Sequence, residues 1–393
     1  MISLVAAAML ALAGPAPLAG PWRAALSLDG GELRFSLELV RTGGGLTGQL
    51  CNANMCEPLS AVHAAGDSVT LEIADYAANI VAEVQGDTLV GFYRNVGNRG
   101  PRVIPFHAGR GRWSASGVPT EVRGRWDATF DANGRRSPRV LVFTDGPRGL
   151  QGTVIANTGD YGTFWGQAEG DSVTLSHFDG SFVYQLSARV DGDTLRGVFR
   201  AGRSTETPFT AVRSTGAPHL RAPTAMTQAD TTAPFRFAFP GVDGGIVRNT
   251  DPRFRGKVVL IDIFGTWCPT CQEAAPELVR LWNAYHARGL EIVGIAYEVS
   301  GDTAVDGALV RRYRHRHRIP FPLLLGGINV VEATAATLPQ LTGFTSYPTS
   351  IFLGRDGRVR RVHAGFFGAA TGAMHQDQVR AFRAFIETLL KEP

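Results

Sequence analysis

Phe264-Gly265-Thr266-Trp267-Cys268-Pro269-Thr270-Cys271, directly after Val258-Val259-Leu260-Ile261-Asp262-Ile263, is the stretch that decides the fold of the C-terminal half. The apolar, β-branched run predicts a buried strand. From Pro269 to about His286 the apolar positions Leu278, Leu281, Trp282 and Tyr285 share one helical face, which predicts a helix. Cys268 then falls at a strand-to-helix turn, where the positive end of the helix dipole favours a thiolate and should lower the thiol pKa. Cys271 lies one turn in, close enough to close a small disulfide ring. Strand, Trp-Cys-x-x-Cys, helix is the order that thiol–disulfide exchange requires.

A Cys-x-x-Cys pair is a weak signal by itself, because half a zinc site or a structural crosslink uses the same spacing. The only other cysteines, Cys51 and Cys56, lie far upstream, so a four-cysteine zinc site would have to borrow distant ligands. No metal site is expected. Four further stretches add specificity: Gly256-Lys257-Val258-Val259-Leu260-Ile261-Asp262, Gly289-Leu290-Glu291-Ile292-Val293-Gly294-Ile295, Ser346-Tyr347-Pro348-Thr349-Ser350 and Gly354-Arg355-Asp356-Gly357-Arg358-Val359. In this order, with the cysteine motif, they make the chain from about Phe235 onward resemble the thioredoxin-like proteins of the TlpA/ResA group. The resemblance covers about 160 of 393 residues.

It implies an α/β thioredoxin-like fold, a redox disulfide between Cys268 and Cys271, and no cofactor. It also implies that Pro348 is the cis-proline that the family sets against the cysteine pair, with Tyr347 and Thr349 flanking the site and helping to hold a substrate strand. A trans proline entering a strand is the ordinary alternative. Trp267, Pro269 and Thr270 complete the expected substrate contact surface. A membrane-side electron donor would re-reduce the pair.

Asp262 lies six residues before Cys268, where thioredoxin itself carries a buried aspartate. A carboxyl in an apolar strand has a raised pKa and can take a proton from the buried thiol of Cys271. A hydrated strand-end aspartate is the alternative. Glu273 departs from the family, which commonly places a glutamate three residues after the second cysteine, where this chain has Ala274. Glu273 is expected to be a solvated first-turn acid that complements the helix dipole.

Composition bounds the rest. The length fits two or three domains, and 44% hydrophobic with 19% charged residues is a globular composition with ample core. The net charge is +4, and Lys257 and Lys391 are the only lysines. An arginine-rich, GC-rich coding bias explains this better than nucleic-acid binding, and no nucleic-acid partner is expected. Residues 1–20 begin with a short apolar run closed by Gly14, Pro15 and Pro17, too short to span a bilayer but suited to a signal peptide. The chain is therefore expected to be exported, periplasmic or membrane-associated on the extracytoplasmic side.

Between about Pro21 and Arg213 the sequence repeats itself. Trp22 recurs as Trp126, and Gly66-Asp67-Ser68-Val69-Thr70-Leu71 as Gly170-Asp171-Ser172-Val173-Thr174-Leu175, each 104 positions on. Gly86-Asp87-Thr88-Leu89 recurs as Gly192-Asp193-Thr194-Leu195 at 106. Alternating segments such as Ser68–Ile73 and Thr88–Tyr93, separated by Gly/Asp/Asn turns, predict antiparallel hairpins in a barrel or sandwich. The expected organisation is a β repeat over 21–110, a second over 111–213, a linker over 214–233 and a thioredoxin-like domain over 234–393. Cys51 and Cys56 bracket a hairpin tip and are expected to form a local structural disulfide; a second redox-active pair is the alternative. The linker, rich in Ala, Pro and Thr, reads as a semi-extended tether. The run Arg311-Arg312-Tyr313-Arg314-His315-Arg316-His317-Arg318 reads as a solvated helix end, with an acidic partner or anionic surface as the alternative.

The functional expectation is an exported thiol–disulfide oxidoreductase that reduces protein or small-molecule disulfides through Cys268 and Cys271. Two other classes compete. A peroxiredoxin-like peroxidase would normally carry P-x-x-x-T-x-x-C, which Phe264-Gly265-Thr266-Trp267-Cys268 lacks. A non-enzymatic Cu(I)- or partner-binding protein would use the two thiolates as soft ligands.

Overall fold

The computed structural model describes residues 18–97, 100–114, 120–146, 149–216 and 219–393. The expected signal peptide lies outside these except for its last three residues.

The first repeat is a barrel rather than a sandwich. Its eight strands are Gly20–Leu28, Gly31–Thr42, Gly45–Asn52, Ala61–Ala65, Ser68–Ile73, Ala78–Gln85, Thr88–Gly97 and Gly100–Arg110. Each pairs antiparallel with the next, and the last returns to the first through Trp22 opposite Arg110. Closure leaves no open edge to be covered. Alternate residues fill the inside, among them Trp22, Phe35, Leu71, Ile80 and Phe106, while Val40 and Phe92 face out. A short outer strand, Met55–Pro58, folds back on Gly45–Asn52 so that Cys56 faces Cys51, and the two are disulfide-bonded.

The second repeat closes the same way through Gly124–Ala132, Arg135–Gly146, Gly149–Ala156, Phe164–Glu169, Ser172–Phe178, Val183–Asp191, Thr194–Ala201 and Thr205–Arg213. Both barrels anchor their first strand alike. The indole of Trp22 donates to Leu18 O with Arg110 stacked 4.0 Å above the ring; that of Trp126 donates to Val122 O with Arg213 at 4.2 Å. A two-residue strand, Gly159–Asp160, takes the place of the disulfide hairpin in the second barrel.

The barrels share a core. Phe178, from the end of a second-barrel strand, is fully buried among first-barrel residues, 4.8 Å from Phe35 and 5.1 Å from Tyr93 between ring centres. Asn52 brackets it, its amide donating to Phe178 O and its carbonyl accepting from Phe178 N, both at 2.9 Å.

The third unit is a thioredoxin-like α/β domain. In chain order its elements are β1 (Val258–Phe264), α1 (Pro269–Tyr285), β2 (Leu290–Glu298), α2 (Thr303–His317), β3 (Leu323–Ile328), α3 (Val331–Thr337), β4 (Thr349–Leu353), β5 (Val359–Ala364) and α4 (Ala373–Leu390). The sheet runs β3-β2-β1-β4-β5, parallel across β3-β2-β1 and antiparallel beyond. Strand parity sorts the core: Leu260 and Phe264 pack with residues of α1, α2 and α4, whereas Val259, Ile261 and Ile263 pack on the opposite face with Phe235 and Phe237.

Two expectations need correcting here. The linker is a tether only in part: His219 bonds to Ala128 O, Thr227 is fully buried, and Gln228–Ala229 forms a small sheet with Leu341–Thr342. The basic run is a solvated helix end only in part: Arg311, Arg312, His315 and Arg318 are exposed, but two of its arginines are paired. Arg316 pairs with Glu57 (2.6 Å) and Asp75 of the first barrel, and Arg314 pairs with Asp243 (2.7 Å). The acidic partner of the run belongs to this same chain.

Candidate active site

β1 ends at Phe264 and α1 begins at Pro269, so Cys268 takes the N-cap position with an extended backbone. Proline suits the first helical position because its missing N–H would have no helical acceptor there. Cys268 O accepts from Cys271 N and Gln272 N, both at 3.1 Å, which starts the helix and brings the second cysteine under the first. Both thiols are free; Cys268 is 5% exposed and Cys271 is fully buried. Burial pushes the Cys271 thiol well above its ordinary value, and its hydrogen bond with Cys268 acts in the same direction.

Asp262 sits beneath them. Its parity places it on the face of β1 that α1 covers, in line with Leu260 and Phe264. It is 3% exposed, and its Oδ1 has no hydrogen-bond partner among the described residues. Burial alone raises its carboxyl to about 7. The hydrated alternative is therefore not what the structure holds.

A second buried acid, unforeseen from the sequence, holds the turn. Glu298, at the end of β2, accepts from Thr266 N (2.8 Å) and Thr266 Oγ1 (2.7 Å), and burial raises it to about 7. Gln272 Nε2 donates to Thr266 O, and its Oε1 bonds His317 Nε2, each at 2.6 Å. Burial lowers His317 to about 4, so the ring is neutral at neutral pH and its Nε2 donates to the glutamine carbonyl. Polar residues thus tie the start of α1 to the ends of β2 and α2.

Across the cysteines the Tyr347–Pro348 peptide is cis. Cys268 Sγ lies 3.7 Å from Tyr347 O. The Tyr347 ring meets Trp267 edge-on at 5.5 Å, and its hydroxyl bonds Thr334 Oγ1 at 2.6 Å. Trp267 Nε1 donates to Tyr297 O, fixing the indole. Pro269 and Thr270 are half-buried. Thr349 differs from the others: it is fully buried between β1 and β5 with its hydroxyl donating to Ser346 O, so it supports the loop from behind and does not form part of the exposed surface expected of it.

The barrels cover part of this surface. Phe366 N donates to Thr158 O (3.1 Å) and Gly368 N to Asp160 Oδ1 (2.6 Å), which locks the 158–160 hairpin onto the segment after β5. A Cβ on Gly159 would lie 3.1 Å from Thr270 Cγ2, so the hairpin abuts the residue between the cysteines. Glu273 is not the solvated helix acid expected: it is half-buried against the second barrel and accepts from Ala369 N at 2.7 Å. Burial raises it to about 7, and the nearby Asp160 carboxyl adds to this. His177 and Asp179, 3.8 Å apart, complete this buried polar seam. No local signal marks Glu273 in the sequence, because the Asp160 and His177 beside it lie in the second barrel, far off in the chain.

The sheet order, the dithiol at a helix N-terminus and the proline facing it place the C-terminal unit among thioredoxin-fold dithiol proteins. Residues 228–373 match the Redoxin family model. Over 133 residues the chain is 28% identical to the thiol-disulfide oxidoreductase ResA of Halalkalibacterium halodurans, covering 34% of this chain and 64% of that protein. It is 34% identical over 84 residues to the thiol:disulfide interchange protein DsbE of Pseudomonas aeruginosa, covering 21% and 44%. Each alignment spans less than two thirds of the relative's own length. The crystal structure of a thioredoxin family thiol:disulfide interchange protein from Chlorobium tepidum covers 42% of this chain and 99% of that chain, at 23% identity and a TM-score of 0.32.

Proposed function

We propose that this protein is an exported thiol–disulfide oxidoreductase acting through Cys268 and Cys271. The observation that carries the reading is the stacked pair: an outer thiol beside the cis-proline loop and a buried thiol over an unpartnered, near-neutral carboxyl. In the reducing direction the Cys268 thiolate attacks one sulfur of a substrate disulfide. The substrate S–S bond breaks, one substrate thiol leaves with a proton, and a mixed disulfide remains. Asp262 takes the proton of Cys271, whose thiolate then attacks Cys268 Sγ and releases the second substrate thiol. Two electrons pass to the substrate, and the Cys268–Cys271 disulfide is restored to the dithiol by an external dithiol donor on the extracytoplasmic side of a membrane. The contact surface is assigned to Trp267, Pro269, Thr270, Tyr347 and Pro348, with Thr349 supporting it from within the sheet.

Export rests on the apolar leader over 1–20 and on the Cys51–Cys56 disulfide, which persists in oxidising compartments. No helix among the described residues is long and apolar enough to cross a membrane. The barrels are read as duplicated units over 21–110 and 111–213 that support and shield the dithiol.

Cys271→Ser tests the reading, because it removes the resolving thiol and leaves the attacking one. The variant should accumulate a mixed disulfide with an oxidised substrate, visible as an adduct mass lost on reduction. Cys268→Ser should form none. An adduct on Cys271 in the Cys268→Ser variant, with none on Cys268, would reverse the assigned roles.

A further inference from the structure

Beside Trp267 lies a cavity of about 510 Å³ where the two barrels meet the thioredoxin-like domain, within the size range of small-ligand sites. Its wall is largely apolar and aromatic: Tyr76, Val103 and Ile104 from the first barrel, Phe182 and Tyr184 from the second, Trp267 from the active-site turn. The wall residues Thr266 and Trp267 directly precede Cys268 in the active-site turn, which sets the cavity beside the attacking cysteine. On the other side of the cysteine pair, the 158–160 hairpin stands against Thr270 and bonds the segment after β5.

Four charged residues line the cavity: Asp75, Arg102, Arg203 and Glu298. Asp75 is paired with Arg316, and Arg203 with Asp29 at 2.9 Å. Glu298 titrates near 7 and is held by Thr266. Arg102 is bound only to neutral groups, Nε to Asn95 Oδ1 (2.9 Å) and Nη2 to Ser181 O (3.0 Å), and has no carboxylate partner among the described residues. It is the one cation of the wall without a carboxylate partner, half-buried where the dielectric is low.

The geometry points to a substrate site for low-molecular-weight disulfides carrying a carboxylate, reached through this cavity and oriented by Arg102, rather than a docking surface for folded proteins. This rests on the dithiol reading above and narrows it. One half of such a disulfide lies in the cavity with its carboxylate on Arg102. Cys268 thiolate attacks the nearer sulfur, the distal half leaves as a thiol, and Cys271 then releases the bound half as a second thiol. The substrate gains two electrons and the enzyme pair is oxidised.

The test uses the full chain, reduced with dithiothreitol, freed of it, and mixed with 3,3′-dithiodipropionate, cystamine or oxidised insulin. Oxidation of the pair is followed by tryptophan fluorescence and by mass. Each rate is divided by that of the same disulfide with free dithiothreitol. Dithiodipropionate and cystamine share a two-carbon spacer between sulfur and charged group and differ in the sign of that charge. One desolvated charge-assisted bond is worth ~10-fold or more, so dithiodipropionate should lead both other probes by that factor. Arg102→Gln should cost the same factor for dithiodipropionate and nothing for cystamine. Val103→Trp, at a half-exposed wall position, should slow both small probes, while Val212→Trp on the outer face of the second barrel should slow neither. Insulin reacting as fast as the small probes, with no effect of Val103→Trp, would overturn the cavity route and leave the dithiol reading standing. Equal rates for the two small probes, unchanged by Arg102→Gln, would overturn the carboxylate assignment. No oxidation by any probe would overturn both the inference and the reading beneath it.

Discussion

At Asp262 a carboxyl lies buried in an apolar strand with no partner for Oδ1 among the described residues, and burial raises its proton affinity to about 7. Only the ionised carboxyl can accept the Cys271 proton. Release of the mixed disulfide should therefore accelerate as pH rises through about 7. Asp262→Asn should slow that step by ~100-fold and flatten the rise, as stopped-flow measurements across pH 5.5–8.5 would show. A retained inflection in the variant would mean that Asp262 only fills the strand. The position was legible in the sequence by its spacing from Cys268. Glu298 was not, because an acid at the end of an apolar strand looks solvated until Thr266 is seen to bond both its oxygens.

Between elements, α2 meets the first barrel through Arg316, which serves Glu57 and Asp75 together. Arg316→Ala would leave two partly buried carboxylates facing each other and should cost ~2 kcal/mol in chemical denaturation, more than an exposed pair is worth. Arg312→Ala on the same helix, at an exposed position, should cost less than ~0.5 kcal/mol. A strand running into Trp-Cys-x-x-Cys and a helix can be read locally, since period and motif lie within thirty residues. The hairpins can be read too, from alternation and turn residues. Closure into a barrel cannot, because alternation specifies one buried face whether the sheet curls or stacks. What decides it is the return of Gly100–Arg110 to Gly20–Leu28. Nor could the arginine clamp be read, as Arg316 and Glu57 are 259 positions apart and each resembles an ordinary surface charge.

Across the whole molecule, Phe178 makes one folding unit of the two barrels. Phe178→Ala should cost ~3–5 kcal/mol and destabilise both barrels together in a single transition. Two separated transitions with the first barrel unaffected would contradict the shared core. The buried acids set a second whole-molecule property. Glu298 titrates near 7 folded against an ordinary 4.5, so in between the native state holds a proton that the unfolded chain has released. Its contribution is full at low pH and is lost as pH rises through about 7. Relative to wild type, Glu298→Gln should therefore gain thermal stability as pH rises from about 4.5 to about 7 and level off above that. A Tm difference that stays constant with pH would show that Glu298 does not titrate in that range.

Where the second barrel meets the dithiol domain, main chain approaches main chain at Phe366 N and Thr158 O, and two glycines make room for it. A Cβ on Gly159 would meet Phe366 O at 2.4 Å, and one on Gly365 would meet Thr158 O at 2.1 Å. Both also take a positive φ, +139° at Gly159 and +92° at Gly365, so the backbone and the facing carbonyl select glycine together. In lineages that keep the barrels ahead of the dithiol domain, the two glycines should be inherited as a pair; where the barrels have been lost, only the backbone conformation holds Gly365, and residues that tolerate a positive φ, asparagine foremost, should appear there.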